Sequence, residues 1–76
     1  MRRYFLHLSD GKRTFTDSAG VDLTDAHAAR RHARAQIRTM RADSPALHDW
    51  RGWKMIVADS TGNTLFEIGF DLKPIT

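Results

Sequence analysis

Apolar and polar positions alternate from Arg3 to Leu8, with Tyr4, Leu6 and Leu8 on one face and Phe5 and His7 on the other. A repeat of two over a stretch rich in aromatic and branched residues predicts a half-buried strand. Ser9-Asp10-Gly11-Lys12 follows, and Asp-Gly is a strong hairpin signal, so Arg13 to Thr16 is expected to return as a short second strand. Asp17-Ser18-Ala19-Gly20 again carries turn chemistry. Two further apolar runs, Trp53 to Ala58 and Thr64 to Phe70, flank the turn residues Asp59-Ser60-Thr61-Gly62-Asn63 and predict a second hairpin. Ala46 to Arg51 reads as a connector, and Lys73 to Thr76 as a frayed tail.

Between the hairpins the period changes to that of a helix. Asp25 to Ala42 contains six alanines and no Gly or Pro, so helical propensity is high. Thr24 is positioned to cap the free N–H groups, and Asp25 places a negative charge on the positive end of the dipole. Asp43-Ser44-Pro45 ends the helix, because a residue before proline avoids helical angles. Ala26, Ala29, Ala33, Ile37 and Met40 fall within an arc of about 80° and form the expected buried stripe. Alanine at the N-terminal half permits close approach to a sheet, with Tyr4, Leu6, Trp53, Phe66 and Phe70 filling the space around it. The predicted fold is α+β: two hairpins flanking one helix, which packs on one face of an antiparallel sheet. The other sheet face has no second helix to cover it.

The charge distribution changes this picture. The chain has 76 residues and a formal net charge of +3, from 12 Lys+Arg and 9 Asp+Glu. Arg30, Arg31, Arg34, Arg38 and Arg41 all lie in the helix, with no acid between Ala26 and Ala42. The helix is therefore +5 and the remainder −2. With His27 these arginines occupy an arc of about 100° beside the buried stripe. Arg30–Arg34 and Arg34–Arg38 are like charges at i,i+4, each costing a few tenths of a kcal/mol. Asp59, Glu67 and Asp71 are the expected offset from within the chain, and a bound anion or polyanion the expected offset from outside. The plainer reading is a solvated basic face, with Arg38 and Arg41 favourable at the negative end of the helix dipole. The sharper one is a phosphate-contacting stripe for RNA or DNA. An acidic protein partner is the third.

Size and composition narrow the rest. Apolar residues make up 41% and charged residues 28%, ordinary values for a globular chain. One domain over residues 1–76 is expected, its ordered core at about 3–72. Such a domain buries only about 60–65% of its unfolded surface. It has no cysteine, so disulfides and thiolate metal sites are excluded, and a cytoplasmic setting is expected. A thin stability margin makes self-association through the open sheet face attractive, with Phe5, His7, Ile56 and Leu65 as its residues. No apolar run is long enough for a membrane span, and nothing after Arg2-Arg3 resembles a signal peptide.

Catalytic and ligand motifs are weak. His7, Ser9 and Asp10 carry the residue types of a hydrolase triad, but neighbours on a strand point apart, and a turn cap explains Ser9 and Asp10. His27 and His32 are about 140° apart on the helix, and with His48 they match no metal-ligand spacing. The Asp59–Asn63 turn lacks the length and closing Glu of a calcium loop, and no phosphate-cradling glycine motif occurs. No catalytic residue, cofactor or metal is therefore expected. Trp50 and Trp53 bracket Arg51-Gly52; Trp53 fits a core position, whereas Trp50 fits either a cover over the helix end or a partner contact.

Taken together, these segments resemble a family of short alpha-proteobacterial proteins of unknown function. Arg3-Tyr4-Phe5-Leu6-His7-Leu8-Ser9-Asp10-Gly11 matches its opening R-Y-F/Y-F/L-H-L/V-x-D-G. Asp17, Gly20, Leu23, Asp25 and Ala29 match a D-x-x-G-x-x-L-x-D-x-x-x-A segment, and Gly52, Trp53, Val57, Asp59, Gly62 and Leu65 match G-W-x-x-x-V-x-D-x-x-G-x-x-L. Gly69 stands where the family often has Pro, and the helix here is richer in Arg. The resemblance spans about residues 3–70. It implies the fold class and a bacterial cytoplasmic setting, and it transfers no site. The expected function is a non-enzymatic interaction module, self-associating as a homodimer or other homo-oligomer. An acidic protein partner and nucleic-acid binding by the Arg face with Trp50 are the alternatives, and no membrane contact is expected.

Overall fold

The alternating N-terminal stretch is the strand on which the other strands assemble. In the computed structural model, which describes residues 1–43, 50 and 52–70, it forms β1 (Arg2–Ser9). The chain continues through β2 (Thr14–Phe15), β3 (Val21–Leu23), α1 (Ala26–Asp43), β4 (Lys54–Ala58) and β5 (Thr64–Gly69). The five strands form one antiparallel sheet in the order β2-β1-β4-β5, with β3 also paired to β1. The α+β class and both hairpins match the sequence reading. The difference is β3: a three-residue V-D-L segment has too little pattern to declare itself and is held as a strand by pairing with Arg2, Arg3 and Tyr4. The expected connector (residues 46–51, Trp50 apart) and the tail lie outside the described residues.

Asp17 joins β2 and β3 into a nearly continuous edge. One carboxylate oxygen accepts the Leu6 N–H at 3.1 Å, filling the place a strand partner would occupy midway along β1. The other accepts the N–H groups of Ala19 and Gly20, both at 3.1 Å. The Asp17 N–H donates to Nδ1 of His7 at 3.0 Å. This turn also lies over part of the sheet face expected to be open. Gly20 has φ +73°, and a Cβ there would stand 2.9–3.0 Å from Arg3, Phe5 and the Tyr4 carbonyl. Only glycine meets both demands.

The helix packs as the alanine stripe predicts. Ala29, Ala33 and Ile37 are fully buried, and Ala26 and Met40 are half-buried beside them. Tyr4, Met55, Val57, Ile68 and Phe70 complete the core from the sheet, with Leu6, Leu8, Trp53 and Phe66 packed around it. The capping residue is Asp25 and not Thr24: its Oδ1 accepts the Ala28 N–H at 2.8 Å, and its carbonyl accepts the first helical bond from Ala29. The helix therefore starts one residue later than expected. No helix among the described residues is long and apolar enough to cross a membrane.

The two demands on Gly20 can be separated experimentally. Gly62 also has positive φ, +90°, but nothing lies within 4 Å of the position of its Cβ. Gly62→Ala should therefore cost only the backbone term, about 1 kcal/mol, and Gly20→Ala clearly more, up to about 3 kcal/mol. Urea unfolding followed by circular dichroism measures both; equal losses would contradict the close packing at Gly20.

Candidate functional site

The burial of Ala29, Ala33 and Ile37 fixes where the arginines point. One flank of α1, with His32, Gln36 and Met40, borders a cleft that also touches Leu6, Leu8 and Val21, on the β1–β3 side. The arginine flank lies on the β5 side. The Arg30 guanidinium sits over the Phe66 ring of β5, 5.5 Å from its centroid. Arg38 and Arg41 line a small cleft of about 300 Å³ with Ala42 and Trp50 at the far end of the helix. The row thus runs along the outer side of the sheet, from the level of Phe66 towards Trp50. Arg30, Arg31, Arg34 and Arg38 are exposed, and Arg41 is half-buried.

The acids expected to offset this row are engaged elsewhere. Glu67 pairs with Lys54 at 2.7 Å. Asp59 accepts the Thr61 hydroxyl at 2.6 Å and the N–H groups of Thr61 and Asn63 within its own turn. The Thr61 hydroxyl, then those N–H groups, hold the Asp59 carboxyl below the ordinary range although desolvation opposes them. Asp71 lies outside the described residues. Asp22 pairs with Arg3 at 3.0 Å, on the opposite side of the sheet from α1's arginines; that bond lowers the carboxyl and raises the guanidinium. Among the described residues, no carboxylate forms an ion pair with any of the five helical arginines.

Trp50 belongs to an aromatic cluster. Its ring stacks on Phe70 with centroids 5.0 Å apart, and meets Trp53 edge-on at 5.4 Å. It is half-buried, with one border on the Arg38–Arg41 cleft. This agrees with a cover over the helix end and leaves no ring free on both faces for a stacked base.

On the sheet face away from α1, Phe5 and His7 are half-buried and their rings lie nearly parallel, 6.4 Å apart. Ile56, opposite His7 across the β1–β4 ladder, is half-buried too. Leu65 does not join them. It stands next to the irregular β4–β5 pairing at Ala58 and Thr64, and borders a cleft of about 480 Å³ near Tyr4 and Ala26 at the helix start. The two ion pairs, Arg3–Asp22 and Lys54–Glu67, flank the patch of Phe5, His7 and Ile56.

The residues of the triad-like cluster are each committed to the first hairpin and its edge. Ser9 is buried and its Oγ accepts the Gly11 N–H at 3.2 Å. Asp10 accepts the N–H groups of Lys12 and Arg13 at 2.8 and 2.7 Å, bonds which, Arg13 first, lower its carboxyl. His7 faces the Asp17 N–H. Among the described residues no three metal-binding side chains converge; His27 and His32 diverge on the helix, and His48 lies outside the described residues.

A family model described as Domain of unknown function (DUF6894) matches residues 3–71. No curated protein matches the chain, and no solved structure does. The functional reading therefore rests on the surface. Two features were not read from the sequence: the bridging role of Asp17, which depends on β3, and the position of the arginine row relative to the sheet, which depends on the direction in which α1 crosses it.

The Asp17 contacts carry a pH dependence. Partial burial pushes its carboxyl up, but the N–H groups of Gly20, Leu6 and Ala19, and then the nearby His7, outweigh it and hold the group below the ordinary carboxylate range. A carboxyl lowered by folding contributes stability that is present above its unfolded pKa, about 3.9, and is lost as pH falls through the folded value. Asp17→Asn should therefore be less stable than wild type at pH 7, with the gap shrinking steadily below about pH 4. Thermal melts from neutral to acid pH measure it; a gap independent of pH would contradict the assignment.

Proposed function

Because the chain belongs to the DUF6894 family, a domain of unknown function, we propose its role from its surface: it is a non-enzymatic interaction module that binds an anionic partner through the arginine face of α1. The observation that supports this reading is the charge account of the helix. Five guanidiniums stand on one flank with no carboxylate partner among the described residues, while Glu67, on the sheet face away from α1, pairs with Lys54, and Asp59 is bonded within its own turn. Like-charged neighbours one turn apart oppose the helix that carries them. An external anion removes that repulsion and gains forked hydrogen bonds from each guanidinium it meets. The commitment of Ser9, His7 and Asp10 to separate turn contacts supports a binding role over a hydrolytic one.

Self-association through the open sheet face is the second reading, supported by the half-buried apolar patch of Phe5, His7 and Ile56. The Asp17–Gly20 turn and the two flanking ion pairs narrow this patch, which places it behind the arginine face.

Retention on immobilised heparin, with sedimentation velocity in parallel, tests both. The wild-type protein should be retained at low salt, and Arg34→Gln/Arg38→Gln should elute at clearly lower salt with an unchanged melting temperature. Failure to retain the wild type, or identical elution of the variant, would overturn the first reading; a monomer at every concentration would overturn the second.

A further inference from the structure

The outer edge of β5 carries backbone groups that the sheet does not use. The Phe70 N–H donates to the Trp53 carbonyl at 2.9 Å, which sets the phase of the β4–β5 ladder. With Trp53 opposite Phe70, the hydrogen-bonded pairs are Met55–Ile68 and Val57–Phe66, and Ile56–Glu67 and Lys54–Gly69 are the alternate, non-bonded pairs. The N–H and C=O groups of Glu67 and Gly69 consequently point away from β4. Among the described residues no strand pairs with them. An unpaired edge of this kind is a template for an added strand.

The arginine row stands beside this edge. Arg30, Arg34 and Arg41 fall within about 40° of one another on the helix, on the side that Arg30 shares with Phe66. From Arg30 to Arg41 the helix rises about 16 Å. From Leu65 to Phe70 the strand advances about 17 Å. With Arg30 over Phe66, and Arg38 and Arg41 beside Trp50, which stacks on Phe70, the two rows run in the same direction over similar lengths. Each turn from Arg30 to Arg34 covers about 6 Å. Side chains on one face of an added strand repeat about every 6.7 Å.

We infer that the partner is an extended acidic peptide that adds to β5 as a further strand, its alternate Asp or Glu side chains turned towards Arg30, Arg34 and Arg41. This rests on the arginine face being the binding surface. Three observations favour it over other occupants. The edge offers donors and acceptors at strand spacing, and a phosphate backbone, which only accepts, leaves the edge carbonyls unpaired. Trp50, Trp53 and Phe70 pack against one another, Trp50 stacked on Phe70 and edge-on to Trp53, and none of the three is an exposed platform for bases. A second copy pairing antiparallel at this edge would bring both helices to the same side, arginine row against arginine row.

Fluorescence anisotropy on the full chain tests this with three labelled probes: a short peptide of alternating Glu and Val, the same peptide N-methylated on the amides that would face β5, and a single-stranded oligonucleotide. The alternating peptide should bind, and N-methylation should weaken it about tenfold, because main-chain bonds are lost while charge is kept. Arg30→Gln/Arg34→Gln should weaken it about fivefold. Gly69→Pro, which removes only an outward N–H, should match the N-methyl effect, and the N-methyl peptide gives the same answer if that variant fails to fold. Equal binding of the plain and N-methylated peptides, or an oligonucleotide bound more tightly with the same Arg dependence, would overturn strand addition and leave the anionic partner standing. No binding of any probe at low salt would overturn both.

Discussion

A helix whose one continuous apolar stripe is Ala26, Ala29, Ala33, Ile37 and Met40 can be buried in one orientation. The alanines let its backbone come close to the sheet, and Ile37 and Met40 fill the wider space beyond them. Reversing the helix face would bury arginine against Val57 and Ile68, and an unpaired charge in a core costs many times what the burial of one apolar side chain returns. The packing constraint therefore sets the electrostatics. Once the alanines are down, the arginines must lie on one flank, and the direction of the helix places that flank over β5.

The sheet meets a second constraint with one side chain. β1 needs a partner along its whole outer edge, and β2 and β3 together fall short of it. Asp17 supplies the missing acceptor for Leu6 and holds the turn through Ala19 and Gly20. The same turn brings Gly20 over Arg3 and Phe5, so the device that seals one edge also covers part of one face. The outer edge of β5 receives no comparable treatment among the described residues, and it is the edge beside the arginines. One side of the sheet is closed by the chain's own carboxylate; the other combines open backbone groups with surplus positive charge.

Much of this was legible in the chain. The period of two in residues 3–8, the Asp-Gly turn, the alanine stripe and the closing hairpin each rest on local chemistry, and each stands in the structure within a residue or two. The core residues Tyr4, Leu6, Trp53, Phe66 and Phe70 followed from the same patterns. What stayed hidden depends on tertiary pairing. β3 is a strand because Tyr4 holds it, and Asp25 is the cap because the helix starts at Ala26. The arginine stripe was visible as a helical face, but its neighbour was not, since periodicity carries no information on which strand a helix flank overlies. Leu65, grouped with Phe5 and Ile56 by its apolar character, is parted from them by the irregular pairing between β4 and β5, a one-residue effect that the pattern alone does not reveal.

The arginine row lies beside a strand edge that no other strand pairs with among the described residues. Amide hydrogen exchange, followed residue by residue in dilute solution, reads that edge directly. Phe66 and Ile68, bonded to β4, should be protected, while Glu67 and Gly69 exchange near the rate of an unstructured chain. Equal protection at all four positions would mean that the β5 edge is already occupied, and would contradict the account.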